Sequence, residues 1–120
     1  MNRQVEYLRD MLDRMSRISE YTAGGHDAFV KDRFVQDAVL RNLEIIGEIA
    51  RGRLDEAVMN LEPAIPWRAV ADFRNFLIHE YDKVTVEEIW STIVTDLPPL
   101  RAAVHRMIAR LENEPDESRG

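Results

Sequence analysis

The stretch Asp72-Phe73-Arg74-Asn75-Phe76-Leu77-Ile78-His79-Glu80-Tyr81 places a guanidinium, an amide, an imidazole and a phenol within one short segment. Arginine presents a planar fork of donors suited to a phosphate group, and histidine exchanges a proton near neutral pH. With a hydroxyl nearby, these are the parts that metal-free phosphodiester cleavage needs. On a straight helix, at about 100° per residue, Arg74 and Tyr81 lie only about 20° apart. His79 falls about 140° from Arg74, on the polar side with Asp72 and Asn75. Ala69, Val70, Phe73, Phe76, Leu77 and Ile78 spread over an apolar arc of about 200° that also contains Arg74. For Arg74 and His79 to act on one phosphate, either the helix unwinds before Tyr81 or a second subunit supplies half of the site. A purely structural arrangement is the alternative: Arg74 pairs with a core carboxylate such as Glu44 or Glu48, His79 solvates the helix end, and Tyr81 packs with its hydroxyl in water.

Other chemistries lack their residues. The chain has no cysteine, which removes thiolate metal sites, cysteine nucleophiles and disulfides. His26, His79 and His105 lie far apart, none follows a carboxylate by three residues, and none is spaced i, i+4 from another. Neither a metal nor a cofactor is therefore expected. Against 22 acidic residues stand 16 basic ones, a net charge of −6, which is unlike a general nucleic-acid coat. Only Lys31 and Lys83 among the basic residues are lysine; the rest are arginine. Any nucleic-acid contact is then a local arginine site on an acidic body.

The elements that position these groups are helical throughout. Val5, Leu8, Met11, Leu12, Met15 and Ile18 form an i, i+3, i+4, i+7 stripe that ends near Tyr21 to Gly25, where paired glycines offer a left-handed close. From about Asp32, Phe34, Val35, Ala38, Val39, Ile45, Ile46, Ile49 and Leu54 keep one face apolar for some six turns. Gly47 sits inside this helix at a cost of about 1 kcal/mol relative to alanine, which a close helix crossing explains. A third helix is expected from about Pro66 to Tyr81, with Pro66 at an early position. Thr85 and Glu88 have the spacing of a capping box that starts a fourth. Pro98-Pro99 predicts a kink or restart before Leu100 to Leu111. The fold class is all-α, an antiparallel bundle of four to five helices in one domain over 1–111, with a disordered acidic tail over 112–120. No apolar run approaches the length that crosses a bilayer, and Met1 to Glu6 enters a charged pattern directly, so a cytoplasmic protein is expected.

Taken with its flanks, this chain resembles a known family. Arg74, His79 and Tyr81 match the RX4HXY motif of the HEPN superfamily, in particular its HepT-like ribonucleases. Arg41 to Glu48, Ile65-Pro66-Trp67 and Asp96 to Leu100 also resemble that family's helices, in order and spacing, so the likeness covers about residues 3–111. The resemblance implies a homodimer whose two motifs line one cleft, with Arg74 binding the scissile phosphate, His79 as general acid or base and Asn75 in support. The RNA, tRNA or mRNA, supplies its own 2′-OH as nucleophile and leaves a cyclic phosphate and a 5′-hydroxyl. It implies further a type VII-like toxin–antitoxin system, in which an MntA-like nucleotidyltransferase antitoxin transfers AMP from ATP to Tyr81. The alternative is a non-catalytic HEPN module that binds a nucleotide or acts as a scaffold. Glu80 adds a negative charge inside the motif, with the potential to weaken RNA binding or tune His79.

Overall fold

Helix α1 (Arg3–Tyr21) begins where the side chain of Asn2 accepts a hydrogen bond from the backbone N–H of Gln4, satisfying one of the donors a helix start leaves unpaired. Its stripe is buried as the periodicity predicts: Val5, Leu8, Met11, Met15 and Ile18 all lie in the core, with Leu12 at its edge. Thr22 closes α1, its N–H returning to the carbonyl of Ile18. Among the described residues a left-handed φ is found at Gly25 alone, at 86°, and it serves the entry to the next helix rather than the end of α1. The computed structural model describes residues 2–113.

Helix α2 (His26–Lys31) is a short element that the periodicity does not signal; it inserts Phe29 into the core. Asp32 caps α3 (Arg33–Gly52) by accepting from the N–H of Val35. Val39, Leu43, Ile46 and Ile49 form its buried face. Phe34 does not share that face and is 89% exposed. It lies about 140° from Val39 around the helix, in the first turn, so the apolar expectation for it is corrected. A single turn, α4 (Glu56–Met59), precedes α5 (Trp67–His79). Then come a 3-10 turn at Tyr81–Lys83, α6 (Val86–Ser91), a π-helical turn at Thr92–Asp96 and α7 (Leu97–Asn113). Among the described residues there is no strand.

The capping box at α6 is complete. Thr85 accepts from the N–H of Glu88 at 3.1 Å, and the Glu88 carboxylate accepts from the N–H of Thr85 at 3.3 Å. The expected restart at Pro98-Pro99 takes the form of the π turn, in which the N–H of Leu97 reaches back five residues to the carbonyl of Thr92. Two prolines cannot donate to the carbonyls of Val94 and Thr95 as a continuous α-helix requires. The widened turn sits where Val94, Thr95 and Asp96 are exposed, so water can take those acceptors.

Cross-links between elements fix the directions. Arg9 meets Glu112 at 2.9 Å while Arg101 donates to Ser16 at 3.0 Å, so α1 and α7 run antiparallel. Gln4 bonds the carbonyl of Arg53 and the N–H of Asp55, whereas Arg14 reaches Asn42, so α1 and α3 are antiparallel as well. Asn42 is the polar residue buried in this core, and its amide also donates to the carbonyl of Ala38 at 2.8 Å. The helical bundle of the sequence reading is therefore the observed fold. Of the expected tail, Glu112 and Asn113 still belong to α7. The remainder, 114–120, lies outside the described residues.

Candidate active site

Helix α5 carries Arg74, Asn75 and His79, and its start is bolted down. Pro66 is its N-cap residue and accepts from the N–H of Val70 at 3.0 Å. The Trp67 indole N–H donates to the carbonyls of Met59 and Glu62, at 2.9 and 3.1 Å. Arg106 of α7 grips the carboxylate of Glu62, and that guanidinium holds the carboxyl below its ordinary range. The loop before α5 is thus tied to both α4 and α7.

One turn further on, α5 crosses α3 at Gly47. A Cβ there would stand 3.2 Å from the carbonyl oxygen of Val70 and 3.3 Å from the Cα of Arg74. The close crossing expected from Gly47 is present, and its partner is the backbone that carries Arg74. Beside it opens an apolar cavity of about 450 Å³, walled by Leu43, Ile46, Val70, Phe73, Leu97 and Leu100.

Beyond the crossing, α5 turns only part of its apolar arc inward. Leu77 is buried, while Phe76 and Ile78 are exposed. Phe73 and Phe76 stack with ring centroids 6.5 Å apart. The Arg74 guanidinium donates through Nη1 to Oδ1 of Asn75 at 2.9 Å. Its Nε is buried and meets no acceptor among the described residues. No ion pair joins Arg74 to Glu44 or Glu48 among those residues; Glu44 is held instead by Arg41, three residues before it. The buried ion pair of the structural alternative is therefore not formed.

Helix α5 ends at His79, its only basic residue in the last turn. Glu80 leaves helical geometry at φ −130° and ψ 28°, its N–H bonded to the carbonyl of Phe76. Tyr81 is 69% exposed on the 3-10 turn. The helix therefore unwinds before Tyr81, yet His79 is still its last residue, so the angle of about 140° between Arg74 and His79 is unchanged in the single chain. Within that chain Arg74 and Asn75 are brought together. No hydrogen bond links His79 or Tyr81 to that pair among the described residues. Glu80 is half-exposed and paired with Lys83 at 3.0 Å, so the added negative charge is locally offset. The i, i+3 spacing of these two residues was the available signal for that pair. Among the described residues no group of three or more His, Asp or Glu side chains converges as a metal ion requires.

A family model described as ribonuclease HepT-like matches residues 11–107, spanning α3, the Gly47 crossing and all of α5. This chain belongs to the HepT-like ribonuclease family. A relative of this HepT-like chain in Methanocaldococcus jannaschii, named as a candidate RNase, is 34% identical over 93% of each protein. Another, from Thermococcus cleftensis and named a probable ribonuclease HepT, is 36% identical over 85% of this chain and 93% of its own. A third, a candidate RNase of Caldanaerobacter subterraneus, is 33% identical over 87% of this chain. No solved structure matches the HepT-like chain. No helix among its described residues is long and apolar enough to cross a membrane.

Proposed function

We propose that this HepT-like protein is the toxin of a type VII-like toxin–antitoxin pair, an endoribonuclease that cuts tRNA or mRNA without a metal ion. Arg74 holds the scissile phosphate. His79 takes the proton from the 2′-OH or returns one to the departing 5′-oxygen, so that a cyclic phosphate and a 5′-hydroxyl result. Asn75 steadies the guanidinium. The observation that carries this reading is the state of Arg74, a part-buried guanidinium with, among the described residues, no carboxylate partner and a buried Nε without an acceptor. A charge removed from water without a counter-charge is costly, and an incoming phosphodiester would relieve that cost.

The reading takes 1–111 as one domain and includes a homodimer. Its apolar contact would use the exposed side of α5, where Phe76 and Ile78 face outward, and would bring the His79 of one subunit toward the Arg74 of the other. Tyr81 is the proposed target of an MntA-like nucleotidyltransferase, its phenol oxygen attacking the α-phosphorus of ATP while pyrophosphate leaves. The exposure of Tyr81 supports this role, and an anionic adduct a few residues from Arg74 would repel RNA.

The deciding experiment pairs RNA cleavage with intact mass, for protein made alone and with an MntA-like nucleotidyltransferase plus ATP. Chelator-resistant cleavage, lost in His79→Ala and silenced by AMP-sized additions that Tyr81→Phe prevents, is the expected outcome. A folded, unmodified dimer that binds nucleotide but cuts no RNA would select the non-catalytic HEPN module instead.

A further inference from the structure

We infer that Gly47 is a positioning residue for Arg74: its missing side chain lets α5 settle against α3 at the depth that sets where the guanidinium emerges. This rests on the reading of Arg74 as the phosphate-holding group. The atoms that crowd the vacant Cβ position are the carbonyl oxygen of Val70, at 3.2 Å, and the Cα and Cβ of Arg74, with the Cα at 3.3 Å. None is the free end of a flexible side chain, so any residue larger than glycine forces the α5 backbone itself outward. Gly52, at the end of the same helix, has nothing within 4 Å of an added Cβ, so the crowding belongs to the crossing and not to α3 in general.

The Arg74 side chain has little freedom to compensate for such a shift. Its stem leaves a Cα pressed against α3, its Nε is buried, and its Nη1 is taken by Asn75 at 2.9 Å. A backbone displacement at position 74 is passed to the guanidinium almost undiminished. Catalytic groups misplaced by about 1 Å commonly lose about 100-fold in rate. Gly47 touches no substrate in this scheme and acts only through Arg74.

The test is a cycle of variants of the full-length protein, assayed for RNA cleavage at a temperature where each is folded by circular dichroism. Gly47→Ala is expected to lose about 10- to 100-fold in kcat/KM, with the midpoints of its pH profile unchanged. Adding it to Arg74→Ala is expected to cost nothing further, and Gly52→Ala is expected to cleave like the wild type. Losses that multiply in the double variant, or wild-type cleavage by folded Gly47→Ala, would overturn the inference alone. A wild-type chain that cuts no RNA, or an Arg74→Ala variant that cuts normally, would overturn the ribonuclease reading and this inference with it. Should Gly47→Ala fail to fold, the Gly47→Ala/Arg74→Gly pair, which removes the opposing Cβ, is expected to recover a cooperative melt. Failure to recover also refutes the inference.

Discussion

Arg74 and Asn75 are adjacent in sequence, yet their side chains turn back on one another, with Nη1 donating to Oδ1 at 2.9 Å. An amide oxygen orients the guanidinium without cancelling its charge, as a carboxylate would. Asn75→Ala is expected to leave the thermal melt within a degree or two of the wild type and to lower RNA cleavage about 10- to 100-fold, the cost of an unaimed group. Asn75→Asp, which neutralises the guanidinium, is expected to be slower still and less sensitive to added salt. Cleavage rates for both variants over a salt series check this, and equal rates for alanine and aspartate would refute it.

A second relationship ties the start of α2 to α6. His26 Nε2 lies 2.9 Å from both carboxylate oxygens of Glu87, Asp27 approaches its Nδ1 at 3.5 Å, and its ring edge meets Trp90. The bond to Glu87 is the main cause that raises the His26 pKa above its ordinary 6.5, with Asp27 adding to it. A pKa raised in the folded state adds stability that is fully present below the unfolded value and is lost as the pH rises through the folded one. The melting temperature of the wild type is therefore expected to exceed that of Glu87→Gln below the ordinary histidine value and to converge with it as the pH rises through the raised folded-state value. The pair is partly exposed, so the gap is small. A gap that widens with pH would contradict the assignment.

Thr85, the N-cap of α6, lies two residues beyond Lys83, the end of the turn that carries Tyr81. Losing its cap is expected to cost about 1 kcal/mol in Thr85→Ala. Urea unfolding measures this. Hydrogen exchange at the amide of Glu88, whose N–H the Thr85 hydroxyl accepts at 3.1 Å, is expected to accelerate in parallel.

Two large apolar residues with similar claims to the core are expected to behave oppositely. Leu8 is fully buried, and Leu8→Ala is expected to destabilise by about 2–5 kcal/mol. Phe34 is exposed, and Phe34→Ser is expected to stay within about 0.5 kcal/mol of the wild type. Chemical denaturation of the two variants decides, and a Phe34→Ser loss comparable to Leu8→Ala would show that its ring is covered in solution.

What was legible in the sequence had a local cause. The α1 stripe, the Thr85 and Glu88 box and the need for a close approach at Gly47 each follow from spacing within one element, and each is present. The exposure of Phe34 is not readable from a periodicity count, which does not show which edge of a helix stays open to solvent. Helix α2 has six residues, too few for a periodic signature, and its entry depends on the left-handed Gly25. The links of His26 to Glu87 and of Glu62 to Arg106 join residues distant along the chain, so they exist only once the bundle has formed. The same holds for the choice at Arg74: its type and angle were readable, but whether a carboxylate from α3 would reach it depended on how α5 crosses.

The π turn at Thr92–Asp96 has a geometric effect on everything after it. At α-helical spacing Ile89 and Leu97 would face directions about 80° apart. Five residues wound more loosely, at about 4.4 per turn, bring the two to within about 10° of each other. Both are in fact buried. The loosened winding therefore works as a phase correction: one surplus residue lets α6 and α7, on either side of the π turn, present their apolar sides to the same interior.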